Sequence, residues 1–286
     1  MSDKSDDVFL VDAKYGDYLR PNKNSLKSIY VQTNQDSQID QMKLIHNGET
    51  IFDLKKKDAT SWKMVSPIES DFVNVLNINN LQTNIMQLII DKFGEEHITE
   101  DQYAEYGFDD PAYTFYFSQE DGTETTIYAK DYDTKSAQFV ECLQKETGQI
   151  FYCATSYISF LLAEPADFLS DVIYDADMAD VASVQVHIDG ETDLNIELDS
   201  ENKQYTVNDI DVAALGTDAV DALTTLYDNL TGLTTSTLDL TDNVPTEEEP
   251  EITLTYNLKD GTTEVITFLA KDKESYYVLR NGEYSG

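Results

Sequence analysis

Cations are scarce in this chain: 19 Lys and Arg stand against 55 Asp and Glu among 286 residues, a formal net charge of -36. A surface of that sign repels phosphate backbones and anionic lipid headgroups, which excludes nucleic acid as a partner. Histidine is nearly absent, and the three present, His46, His97 and His187, lie too far apart to give a metal-ligating spacing. No apolar run reaches the roughly 18 residues that a membrane-spanning helix needs. The longest, around Phe160 and Leu161, is far shorter. The Gly-rich loops that cradle phosphates are missing, and so is the Gly-x-Ser-x-Gly elbow of serine hydrolases. There are two cysteines, too few to decide a redox compartment.

What is present points to a folded scaffold. Hydrophobic residues make up 41% of the chain, and 18 Tyr and 12 Phe supply large apolar surfaces, which excludes disorder. The length suits two domains of ordinary size. The acidic excess is uneven: residues 1–163 carry 14 basic and 27 acidic residues, residues 164–286 only 5 and 28. Such a charge suits a molecule kept soluble in a salty medium.

The strongest pattern is internal. Pro111 leads an alternating strand, Asp121-Gly122 follows, and a second strand ends in Ala129-Lys130-Asp131. Pro250, Asp260-Gly261 and Ala270-Lys271-Asp272 repeat that order. Upstream of the first block, the Asn47-Gly48 turn between apolar alternations marks a hairpin, and a strand from Trp62 stops at Ser66-Pro67. Helical spacing over residues 70–92 follows, with Ser70 and Asp71 as capping oxygens and Gly94 as the stop. The second block is preceded by a hairpin turning at Asp189-Gly190, a strand at 204–207 in which Tyr205 matches Trp62, and a helix over 217–233. A short strand over 28–32 and an extended start over 8–21 are also expected.

The fold class expected is therefore α+β: two tandem repeats, each a mainly antiparallel sheet packed with one main helix. The divisions are residues 1–25 as a tail or extended segment, 26–155 as the first repeat, 156–180 as a connector, and 181–286 as the second repeat. Two copies of more than a hundred residues mean duplicated domains, not a solenoid.

Candidate sites are few. Cys142 and Cys153 flank a hairpin tip at Thr147-Gly148. A two-residue loop there places them directly opposite each other within disulfide range; a register slip of one residue leaves two separate thiols. The aromatic strand Tyr113-Thr-Phe-Tyr-Phe117 has rings on both faces, so Tyr113 and Tyr116 are the candidate partner or ligand surface. His46 and His187 sit before turns on equivalent strands and read as structural. Asp175, Asp177 and Asp180 miss the calcium-loop spacing and lack its glycine, so the acidic clusters read as solvated loops. No catalytic residue, cofactor site or metal site is expected.

Trp62-Lys-Met-Val-Ser-Pro67, the helix that follows, Tyr106-Gly107-Phe108-Asp109-Asp110-Pro111 and the join at Pro165-Ala-Asp-Phe-Leu-Ser-Asp171 together resemble the DUF4340 family over residues 25–286, with Phe108 where Leu is usual. The resemblance implies an extracytoplasmic, cell-surface protein held by an N-terminal membrane anchor, which this sequence does not contain. It also implies a membrane protein complex of the ABC-transporter kind, or a cell-surface component, as partner, and it brings no catalytic residues. The function expected is non-enzymatic binding or assembly. A carbohydrate or cell-wall binding module is the alternative, and a two-carboxylate hydrolase a further one.

Overall fold

The computed structural model describes residues 12, 14–15, 23–32, 34, 36–188, 192–235, 237–240, 244 and 248–284. The Asp189-Gly190 turn, most of the expected 8–21 segment and residues 241–243 and 245–247 lie outside them.

Two large antiparallel sheets organise the chain. The first contains β1 (Ile39–His46), β2 (Glu49–Lys56), β3 (Trp62–Ser66), β4 (Lys92–Phe93), β5 (Tyr113–Gln119), β6 (Glu124–Ala129), β7 (Phe139–Gln144) and β8 (Gln149–Ala154). Its order is β3-β2-β1-β5-β6-β7-β8-β4. Next come β9 (Val172–Tyr174), β10 (Val181–Ile188), β11 (Thr192–Asp199), β12 (Gln204–Val207) and β13 (Ile210–Asp211). They are followed by β14 (Leu233–Thr234), β15 (Ile252–Leu258), β16 (Thr263–Ala270), β17 (Tyr276–Arg280) and β18 (Glu283–Tyr284). The second large sheet runs β13-β12-β11-β10-β15-β16-β17-β18, and β9 pairs with β14 alone.

Helices α1 (Val75–Met86), α2 (Tyr103–Tyr106) and α3 (Thr217–Thr231) complete the fold. α1 buries Ile78, Leu81 and Ile85 in a core with Met42, Leu44, Phe52, Leu54, Phe115 and Phe117. α3 buries Leu223 and Tyr227 in a second core with Val184, Val186, Ile196, Leu254 and Tyr256. A third, smaller cluster sets Ile98, Tyr103 and Phe108 against Leu143 and Ile150. Each apolar side chain fully withdrawn from water contributes about 1.5–3 kcal/mol, so these clusters are what holds the layers together.

α1 is shorter than the 70–92 stretch expected from spacing. Ser70 bridges to Met64 instead, and its hydroxyl accepts from the Phe72 N–H. The cap is Asn74, whose side chain accepts from the Asn77 N–H at 3.1 Å. Beyond Gln87 the β-branched pair Ile89-Ile90 is extended, and the Ile90 N–H donates to Ile29 at 2.7 Å. The expected strand over 28–32 is reduced to one bridge, Tyr30 to Ile89. Gly94 does not end the helix: its N–H donates to the Ile150 carbonyl at 2.7 Å, and a Cβ there would lie 2.9 Å from the Ile150 side chain.

The sheets agree in register as well as in order. Met42 opposes Phe117 and Leu44 opposes Phe115, as Val184 opposes Tyr256 and Val186 opposes Leu254. A register shift falls between Ile39 and Gln41 in one and between Val181 and Ser183 in the other. Trp62 pairs with Lys56, and Tyr205 with Leu198. Two expectations change. Tyr113 pairs with Ala129, whereas the corresponding Ile252 pairs with Phe268, so β16 runs two residues past the end of β6 and the two Ala-Lys-Asp tripeptides are out of step. His46 corresponds to Ile188 and not to His187, and a one-residue offset points the two histidines to opposite sheet faces.

Residues 156–180 carry side chains into both cores. Ile158, Phe160, Leu161, Phe168 and Leu169 join the first, and Tyr174 the second. Leu238 and Leu240, beyond β14, return to pack on the first core.

Candidate functional site

A cleft of about 380 Å³ opens where the two sheet units meet. Phe72, just ahead of α1, forms one side, β9 and the stretch from Leu233 to Asp239 another, and β16, β17 and Tyr284 the rest. Five rings line it (Phe72, Phe268, Tyr276, Tyr277, Tyr284), together with hydroxyls of Ser170, Thr234, Thr235, Thr237 and Ser275.

The turn between β16 and β17 shapes its mouth. The Lys271 N–H donates to the Ser275 carbonyl at 3.0 Å, and the Glu274 N–H donates to the Asp272 carboxylate at 2.8 Å. That backbone N–H, with the Ser275 hydroxyl, holds Asp272 below the usual carboxylate range. The Lys271 ammonium pairs with Asp239 and lies 4.9 Å from the Tyr277 ring centre. The Asp239 hydrogen bond raises the Lys271 pKa. The Tyr284 hydroxyl donates to the Asp239 carbonyl at 2.7 Å, and burial pushes its pKa up to about 12.

Arg280 closes the back of the seam. Its guanidinium lies 4.9 Å from the ring centre of Phe72 and 5.2 Å from that of Tyr174. Its Nε donates to Glu264 at 2.8 Å, and this bond, more than the one from Asn281, draws the Glu264 pKa down. One side chain thus ties together a ring from the first unit, a ring from the linking segment and a carboxylate on β16. In an adjoining hollow that shares Tyr284, Lys57 pairs with Asp71 and Lys63 with Glu69.

The residues singled out from sequence fall elsewhere. Tyr113 is not a surface residue: it is 4% exposed and stacks on His46 at 4.3 Å. Strand alternation turns it, with Phe115 and Phe117, toward the core. Tyr116 lies on the other face, half-buried, opposite Lys43 and Thr126.

Cys142 and Cys153 are buried free thiols and do not face each other. The loop is longer than two residues: Gln144 pairs with Gln149, which sets Cys142 opposite Phe151 and Val140 opposite Cys153. Gly148 takes φ 62° there, and a Cβ would meet the Ile98 carbonyl oxygen at 2.4 Å. The Cys153 thiol donates to the Ile89 carbonyl at 3.1 Å. Burial, reinforced by Cys153, pushes the Cys142 thiol well up.

His187 contacts Asp193 at 2.5 Å on an exposed sheet face. Asp177 accepts from the Ala179 N–H, and Asp211 from that of Ala213, so these acids serve turns. Among the described residues no three His, Cys, Asp or Glu side chains come together as a metal site requires.

The seam residues escaped the sequence reading because they come from points as distant as Phe72 and Arg280. One signal was there: residues 164–286 hold five cations, and two of them, Lys271 and Arg280, are placed at this seam.

The architecture defines a mixed α+β protein of two helix-covered antiparallel sheets with a cleft at their junction. The family described as Domain of unknown function (DUF4340) matches residues 62–249, and the chain belongs to that family. The match begins at Trp62, the first residue of β3, and takes in α1, Phe72, α3 and β14; β15 to β18 lie beyond it. No curated protein and no solved structure matches the chain.

Proposed function

We propose that this chain is a non-enzymatic binding or assembly module whose site is the seam cleft. One observation carries the reading: the cleft combines rings, hydroxyls and ion pairs already closed within the chain, in a volume within the usual range for ligand pockets. A catalytic reading finds less support there. Asp239 is held by Lys271, and Asp272 is drawn down where a general acid needs a raised pKa. The cysteines and histidines lie outside the cleft lining.

The same reading takes the two units as copies of one duplicated unit. The shared strand order, the shared register shift and the Trp62–Tyr205 correspondence support it. Duplication also accounts for a cleft at the junction, because two copies of one scaffold meet on surfaces that neither needs for its own core. The proposed setting is extracytoplasmic, with a membrane transporter complex or another cell-surface component as partner. No helix among the described residues is long and apolar enough to cross a membrane.

The test is affinity capture from mild-detergent membrane extracts, with the wild type and Thr234→Trp side by side. Thr234 is exposed and lines the cleft, so the indole fills the hollow without entering a core. A membrane partner retained by the wild type and lost by the variant is the expected result. Equal retention by both, or no partner with either, contradicts the reading.

A further inference from the structure

The seam uses one chemical arrangement twice. Arg280 lies over the rings of Phe72 and Tyr174 and pairs with Glu264. Lys271 lies over Tyr277 and pairs with Asp239. In each, a cation rests on an aromatic face beside a carboxylate, an arrangement that gains both from the ring quadrupole and from charge pairing. A third ring, Tyr276, stands in the same cleft without a cation, and Glu251 is its acidic neighbour outside the lining. Tyr276 lines it at 43% exposure, Glu251 raises the pKa of its hydroxyl, and the Phe268 and Tyr276 rings meet in a T-shaped contact at 6.1 Å. Among the described residues no Lys or Arg lies over Tyr276 or pairs with Glu251.

Charge points the same way. Among the described residues, the ionisable side chains lining the cleft are Asp239, Lys271, Asp272 and Glu274, with the tyrosines. Lys271 and Asp239 cancel, which leaves two carboxylates in that lining. An anionic ligand is repelled both here and by the molecule as a whole, whereas a cationic group is drawn in.

Resting on the reading of the seam as the binding site, we propose that the cleft receives a basic side chain, Lys or Arg, from a partner polypeptide, its charged end seated on the ring of Tyr276 beside Glu251. The chain's own Lys271 and Arg280 are the precedents for that placement.

The experiment is a titration of the ¹⁵N-labelled protein, followed by NMR in 0.15 M NaCl. Three probes are compared: capped Gly-Lys-Gly, the same peptide with neutral norleucine in place of Lys, and cellotriose. The Lys peptide is expected to shift amides of 271–278 and 233–235, the norleucine peptide to leave them unmoved, and Tyr276→Ala or Glu251→Gln to weaken the interaction about threefold or more. Tyr276→Leu, which keeps bulk and removes the ring face, is the second variant should alanine disturb the hairpin. Shifts scattered over the acidic surface and unchanged in the variants overturn the proposal, as do equal shifts from the norleucine peptide. Shifts at the cleft from cellotriose alone overturn it too, while leaving the seam as a binding site for sugar. Silence from all three probes also overturns it, whereas the seam reading itself stands or falls on capture with Thr234→Trp.

Discussion

Arg280 is the side chain on which the seam turns. It is about three-quarters buried, its charge is matched by Glu264, and its guanidinium faces cover one ring from each side of the junction. Removing it leaves the Glu264 carboxylate in a half-buried site with only Asn281 donating to it. Arg280→Ala is therefore expected to lower unfolding stability by about 1–3 kcal/mol in urea melts, with Arg280→Lys recovering only part, because an ammonium cannot cover two rings and still reach Glu264. A pH consequence accompanies it. The Glu264 pKa is lower folded than unfolded, so its contribution is present above the ordinary glutamate value of 4.5 and is lost as pH falls through the depressed folded value. The difference in stability between wild type and Glu264→Gln is expected to shrink as melts are taken from pH 7 to below 4.5. A difference that stays constant with pH contradicts the pairing.

At the scale of elements, α1 and α3 hold their sheets through a few buried side chains. Ile78 and Ile85 of α1 are fully buried, whereas Leu76, two residues before Ile78 and so on the outer face, is 69% exposed. Ile85→Ala is expected to cost about 2–5 kcal/mol, Asn74→Ala about 1 kcal/mol through loss of the cap, and Leu76→Ala less than about 0.5 kcal/mol. Urea unfolding of the three variants checks this order; a large effect at Leu76 contradicts it. These elements also show how far the sequence can be read. Asn47-Gly48, Trp62 and the Pro-led strands were legible because turn chemistry and alternation are local. The limits of α1 were not, because Phe72, Leu88 and Ile90 continue an apolar pattern while lying in extended chain that meets the same core or the seam. Sequence left the Cys142–Cys153 register open for a related reason. Loop length sets register, and Thr147-Gly148 alone did not reveal that Gln144 and Gln149 close the turn.

For the whole molecule, the doubled order of strands was legible and the seam was not. Core alternation and turns leave a pattern in sequence, but contacts between Phe72 and Arg280 or between Asp239 and Lys271 arise only when the chain closes. The surface has consequences of its own. A net charge of -36 strains the compact state by self-repulsion, so the melting temperature is expected to rise between 0.05 and 0.5 M NaCl; a fall over that range contradicts this. The central claim, that the junction and not an outer sheet face meets the partner, is tested most directly by photo-cross-linking in cells that produce the protein. A photoreactive residue is placed at Thr234 in the cleft or at exposed Glu197 on the outer face of the second sheet. A discrete adduct from position 234 and none from 197 is the expected result; adducts from both alike, or from 197 alone, contradict it.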